Sequence, residues 1–214
     1  MNVLLLDCSS KTAAYGFVTN GELVFQKKLE VNRNADALLF ELKNDFEERG
    51  LDFSQTDVVS LSNGPGSFTG LRIGSVIAKA VCFTLGAKLV QIPTLDILAN
   101  MHNSAGQFAA VIFSGMRTGE FYFAGYSNSG KLERNTDYGT GGIADIAKDY
   151  KEIVINEKID FSEKIEDVSI IDVSGYSGIE SQLALTGLYI ERDDFTDITS
   201  AEPYYMQEFH AKQN

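Results

Sequence analysis

The chain has 214 residues, of which 30 are acidic and 18 basic, for a formal net charge of −12. Hydrophobic residues make up 44% and charged residues 22%, an ordinary globular composition with room for one large domain or two small lobes. An acidic balance argues against a chain that grips a phosphate backbone unaided, which needs clustered Lys and Arg. Membership of a complex whose other members hold nucleic acid is compatible with it.

Cys8 and Cys82 each sit in an apolar segment. Two buried thiols fit a reducing compartment, offer no metal-ligand spacing and predict no disulfide. The apolar run after Met1 is too short for a signal peptide and lacks a basic flank. No stretch approaches about 18 consecutive apolar residues. A cytoplasmic protein without a membrane span is the expectation.

In chain order, residues 3–8 read as a buried strand. Residues 12–19 and 22–30 are two more, joined by Asn20-Gly21, a two-residue hairpin signal because both residues tolerate positive φ. Ala35, Leu38, Leu39, Leu42 and Phe46 recur at helical spacing until Gly50. Residues 58–61 form a short strand that enters the loop Asn63-Gly64-Pro65-Gly66-Ser67-Phe68. A helix over about 69–85, a strand at 88–92 and a helix over 94–101 follow. The second half opens with strands at 108–114 and 120–126, a turn at Asn128-Ser129-Gly130 and an outward run from Lys131. A helix near 143–149, strands near 152–155 and 168–173 and a helix over 178–190 complete it. Hairpin, helix and strand thus come twice, about one hundred residues apart. This predicts a duplicated α/β fold of two lobes, residues 1–104 and a smaller, more degenerate 105–214.

Four segments have the composition for chemistry. Asp7-Cys8-Ser9-Ser10 ends the first strand; a carboxylate followed by hydroxyls can hold a metal–phosphate group, or cap a strand corner. Gly64, Gly66 and Ser67 open a helix whose free amides attract anions. That loop lacks the Gly-Lys-Ser/Thr of a Walker loop and the spacing of a dinucleotide fingerprint. Asp7, Ser9, Ser10, Gly64, Gly66 and Ser67 are therefore a candidate degenerate nucleotide or phosphate site. Ser114-Gly115-Met116-Arg117-Thr118-Gly119-Glu120 marks the second hairpin turn. Val173-Ser174-Gly175-Tyr176-Ser177-Gly178 is a turn that can face an adenosine. His102 and His210 read as surface or packing residues without metal-ligand neighbours. No nucleophile–base constellation can be assembled, so neither a catalytic residue, a metal nor a cofactor is expected.

Gly70, Gly74, Ala78 and Cys82 recur every fourth residue and make a ridge of small side chains, suited to close packing inside the fold or under a foreign helix. With Leu38 and Leu42 of the preceding helix they are the candidate partner interface.

Leu5-Leu6-Asp7-Cys8-Ser9-Ser10, Asn63-Gly64-Pro65-Gly66-Ser67-Phe68-Thr69-Gly70-Leu71-Arg72-Ile73-Gly74, Arg117-Thr118-Gly119-Glu120 and Ala201-Glu202-Pro203-Tyr204-Tyr205 together resemble the TsaB (YeaZ) family. The match is tight over about 1–100 and loose after 130, and Gly64-Pro65-Gly66 is its most specific part. The resemblance implies an actin/Hsp70/sugar-kinase (ASKHA, ribonuclease H-like) fold. It implies a non-catalytic subunit that binds TsaD, alongside the ATPase TsaE, in making N6-threonylcarbamoyladenosine in tRNA, with tRNA touched only indirectly and a homodimer possible in isolation. TsaD carries a His-x-x-x-His metal site on a helix of its first lobe, whereas residues 35–49 contain no histidine. In actin-like ATPases the second-hairpin turn often carries a carboxylate where Ser114 stands here. Asn32-Arg33-Asn34-Ala35-Asp36 and Ser114-Gly115-Met116-Arg117 also depart from the family pattern. The alternative is an enzyme of the same fold, a small-molecule kinase or a glycoprotease-like peptidase.

Overall fold

The computed structural model describes residues 1–29, 35–102, 104–114, 119–158, 165 and 167–206. β1 (Asn2–Asp7), β2 (Ala13–Thr19) and β3 (Glu22–Leu29) run antiparallel. Their hairpin turns on Asn20 at φ 53° and Gly21 at φ 85°, the left-handed pair that matches strand twist. After α1 (Ala35–Glu48), β4 (Val58–Ser62) returns parallel to β1. α2 (Phe68–Leu85) then leads to β5 (Lys88–Ile92), giving the order β3-β2-β1-β4-β5. The Ser67 hydroxyl caps α2 by accepting from the Gly70 N–H at 3.3 Å, and Gly86 ends the helix at φ 71°. By length and composition α2 could cross a membrane. Its inner face is instead packed into the first core.

α3 (Thr94–Asn100) leads to the second sheet: β6 (Gly106–Phe113), β7 (Glu120–Asn128), β8 (Leu132–Arg134), β9 (Gly139–Gly142), α4 (Ile143–Asp149), β10 (Glu152–Ile155), β11 (Ser169–Asp172) and α5 (Ile179–Glu191). The strand order is β11-β10-β6-β7-β8, with β9 also on β7. β6 and β7 form the antiparallel hairpin, and β10 and β11 run parallel to β6. Apart from the added β9, the second sheet repeats the strand order and directions of the first. This is the duplicated two-lobed α/β architecture of the actin/Hsp70/sugar-kinase, ribonuclease H-like fold.

Alternation along the strands decides which helix covers which face. In β1, Leu4 and Leu6 point to the core beneath α1 and α2, while Val3 and Leu5 point to the opposite face. That opposite face is covered by Ile179 and Leu183 of α5, a helix that follows the second sheet. Conversely α3, which follows the first sheet, places Leu95, Leu98 and Ala99 against Phe108, Ala110 and Tyr126 of the second. The two helices are exchanged and lie between the sheets. Gln182 of α5 is buried and its amide nitrogen donates to the carbonyls of Leu6 at 3.2 Å and Ser60 at 3.0 Å, which locks α5 under β1 and β4. α4 covers the outer face of the second sheet through Ile143, Ile146 and Ala147, with Ile165 and Val168 packed beside it.

After α5 the chain returns along the free edge of β5. The Thr196 N–H donates to the Leu89 carbonyl at 2.8 Å, Ala201 enters the first core, and the Tyr204 N–H donates to the Asn63 carbonyl at 2.7 Å. This strap covers a sheet edge that would otherwise present unpaired backbone groups.

Candidate functional site

The end of β1 and the glycine loop after β4 meet at the top of the first sheet. The Ser67 N–H donates to the Ser9 carbonyl at 2.6 Å. A Cβ on Gly66 would collide with the Ser9 carbonyl, and one on Gly70 with the Cys8 carbonyl. Gly64 has φ 116°, and a Cβ there would lie 2.5 Å from the Tyr204 carbonyl oxygen. The glycines therefore admit the chain's own backbone. The Ser67 amide and hydroxyl are committed to Ser9 and to the helix cap. This packing is the observed role of Ser9, Gly64, Gly66 and Ser67.

Asp7 and Ser10 sit apart from that cluster. They line a cleft between the lobes with Thr12, Lys28, Thr94, Asn156 and Tyr176–Gly178. One Asp7 carboxylate oxygen accepts from the Ser9 N–H at 2.9 Å and the Ser9 hydroxyl at 2.6 Å. The Ser10 hydroxyl donates to the Thr12 carbonyl at 2.9 Å, so the strand-end turn is held by its own side chains. Across the cleft, the Lys28 ammonium donates to the Ser174 carbonyl at 2.6 Å and the Tyr176 carbonyl at 3.3 Å, and Lys11 pairs with Glu157. The cleft is partly open to solvent, and its water-accessible space of about 40 Å³ has room for a few waters. The structure thus brings the Tyr176-Ser177-Gly178 turn to Asp7, a long-range neighbourhood. Lys28, Thr94 and Asn156 join the cleft without having been singled out; as isolated residues on a strand, at a helix start and after a strand end they carried no sequence signal.

No group of three or more His, Cys, Asp or Glu that could hold a metal occurs among the described residues. Burial, aided by the charge of Asp7, pushes the Cys8 thiol up to about 12. It is therefore a packed thiol and a poor nucleophile. His102 is buried edge-on to Phe108 with a ring nitrogen 3.3 Å from the Glu152 carboxylate, a packing residue. Ser114 donates its hydroxyl to the Glu120 carbonyl at 2.7 Å and closes the second hairpin. Gly115, Met116, Arg117 and Thr118 of that turn, Asn32-Arg33-Asn34, and His210 lie outside the described residues.

The candidate partner residues need correction. Ala78 is 0% exposed and Cys82 1%, and a Cβ on Gly74 would lie 3.1 Å from Leu61 and 3.3 Å from Cys8. Leu38 and Leu42 are likewise buried, against the same sheet face. The small ridge lets α2 approach its own sheet closely, and for that reason cannot also face outward. The outward surfaces of the same two helices carry large apolar side chains of their own among polar and charged ones. Val76 is 68% and Phe83 83% exposed on α2, and Leu39 and Phe40 are exposed on α1.

A buried charge anchors α1 beneath this surface. Asp45 receives the Tyr15 hydroxyl from β2, pairs with Lys27 of β3 at 3.1 Å and takes the Arg49 guanidinium at 2.6 Å. Burial alone would raise its carboxyl; the hydrogen bonds from Tyr15 and Lys27 and the charges of Lys27 and Arg49 outweigh it and hold the group low.

The chain matches the family model for TsaD, tRNA N6-adenosine threonylcarbamoyltransferase, over residues 33–213. It belongs to that family. Its curated relatives within the TsaD family are TsaB proteins, each described as a tRNA threonylcarbamoyladenosine biosynthesis protein. The TsaB of Haemophilus influenzae is 27% identical over 128 residues, 58% of this chain and 53% of that protein. The TsaB of Escherichia coli is 25% identical over 129 residues, 59% and 55% respectively. The chain thus spans about half the length of the curated relatives it matches. Among solved structures, a Pseudomonas aeruginosa protein described as similar to the peptidase YeaZ superposes with a TM-score of 0.77 at 21% identity, covering 96% of this chain and 99% of that one. Pseudomonas aeruginosa YeaZ gives 0.75 at 20% identity, covering 96% and 100%. These superpositions carry the shared fold.

Proposed function

We propose that this protein is the supporting, non-catalytic subunit of a complex that forms N6-threonylcarbamoyladenosine in tRNA, and that it acts in the cytoplasm by binding and stabilising a TsaD-type subunit. The observation that carries the reading is the pair of outward apolar helix faces, with Leu39 and Phe40 on α1 and Val76 and Phe83 on α2. Exposed large apolar side chains on two helices that pack on the same core suit an interaction surface. A partner of the same fold can offer an equivalent helix pair, and two copies of this chain can do the same in its absence. The TsaE ATPase would join the assembled complex, and tRNA would be held mainly by the other members, in keeping with the net charge of −12.

On this reading the interlobe cleft is a vestige of a nucleotide site. Asp7 and Ser10 still line it, but the surrounding hydroxyls and amides are turned inward and Lys28 is spent on backbone carbonyls. The test is ATP turnover by the purified protein alone. Background turnover is expected. Turnover that disappears in an Asp7→Ala variant would favour the kinase-like alternative.

A further inference from the structure

We infer that the docking face does not end with the two helices: the C-terminal strap completes it, with Tyr205 beside Phe68 and Arg72 forming the end that takes a carboxylate-bearing apolar helix of the partner subunit. The inference rests on the docking role proposed above.

The strap runs the length of α2. Thr196 bridges to Leu89, Asp197 lies within electrostatic reach of Lys79, and Ile198 and Ala201 pack into the first core. Gln91 donates to the Glu202 carbonyl at 3.2 Å and Tyr204 is tied to Asn63. The path thus starts near the C-terminal half of α2 and finishes at its first turn, where the Tyr205 ring lies 5.1 Å from that of Phe68. Ala201 and the backbone bonds fix this course, so Tyr205 is held in place and needs little ordering when a partner arrives.

Phe68, Arg72, Val76 and Phe83 follow one another at helical spacings of four, four and seven. They share the outward face of α2. Tyr205 is 38% exposed and continues that apolar stripe past the helix N-terminus. The Arg72 guanidinium lies 4.0 Å above the Phe68 ring and has no ion pair among the described residues. Arg72 and Lys79 are the only charges on α2. An unpaired guanidinium laid on an aromatic ring, between exposed Tyr and Val, has the composition of an interface anchor. Its planar fork suits a carboxylate. The strap also reaches the other lobe, where the Tyr204 ring lies 5.7 Å from that of Tyr138. Partner binding at this end therefore touches a segment joined to both lobes.

The experiment titrates the full chain with the TsaD-type subunit of the same source and reads affinity, with a thermal melt of every variant. Tyr205→Ala and Arg72→Glu should each weaken association about tenfold or more, and Arg72→Glu should leave the melting temperature unchanged. A partner variant with its facing carboxylate changed to Lys should restore binding to Arg72→Glu. Phe83→Asp separates the two readings. If Phe83→Asp abolishes binding while Arg72→Glu binds as wild type, the docking face stops short of the strap and this inference is wrong. If Phe83→Asp also binds as wild type, the docking role itself is wrong.

Discussion

Both faces of α2 carry apolar residues, yet one is core and the other is surface. The inward face carries Gly70, Gly74, Ala78 and Cys82; the outward face carries Phe68, Val76 and Phe83. What sets the inward face apart is this line of small residues, flanked by the buried Leu71, Ile77 and Val81. A helix laid close against a sheet needs small residues at the line of contact, because each added carbon meets a strand backbone or a core side chain. Larger residues flank that line, as Leu71, Ile77 and Val81 do inside, or stand on the open side, as Val76 and Phe83 do. On this helix the small ridge marks the inside, and the bulky stripe marks the side proposed to meet a partner.

The largest effect should come from crossing this divide. Ala78→Arg buries an unpaired charge where exposure is 0% and should unfold the chain, a loss of about 4 kcal/mol or more. Val76→Arg, two residues away, should stay within about 0.5 kcal/mol of wild type. Urea unfolding monitored by circular dichroism reads both, and similar losses would erase the distinction between the faces.

A smaller loss is expected at the seam between loop and strand. Gly70→Ala drives a Cβ into the Cys8 carbonyl and should destabilise by about 1–3 kcal/mol. A midpoint equal to that of wild type would mean that α2 can shift away from β1 at no expense.

The Asp45 network gives an effect that depends on pH. Its folded carboxyl is held below the ordinary carboxylate value, so the stability it contributes is present above the unfolded value of about 3.9 and is lost as pH falls through the folded one. At neutral pH, Asp45→Asn should lose about 1–3 kcal/mol, and its gap to wild type should close in acid. A gap constant from neutral pH to pH 3 would show that the loss is one of packing.

The smallest change should be a gain. Gly187 lies inside α5 with nothing within 4 Å of an added Cβ. Gly187→Ala should stabilise by about 0.5–1 kcal/mol through helix propensity alone. A loss would show that this side of α5 is covered.

Much of the fold was legible because its signals are local. Asn20-Gly21, the apolar run of β1 and Gly50 after α1 each fix a boundary with chemistry of a few residues. β9 was missed because Gly139-Thr140-Gly141-Gly142 has no strand propensity; its pairing with β7 makes it a strand. The exchange of α3 and α5 between sheets was illegible for the same kind of reason, since either helix has an apolar face and only the assembled sheets choose between them. In the candidate site, the sequence marks the glycine loop as a place where an anion could approach the backbone. What approaches is Ser9 and Cys8, set by long-range packing that spacing does not encode. The strap is held by backbone hydrogen bonds, which leave almost no mark on side-chain pattern.

The central claim is that the outward stripe of α2 binds a TsaD-type subunit. Light scattering of an equimolar mixture of the two chains tests it most directly, comparing wild type with Val76→Arg. The account predicts the mass of a heterodimer for wild type and separate chains for Val76→Arg, with the variant's melting curve unchanged. A heterodimer of the same mass and affinity with Val76→Arg would contradict it.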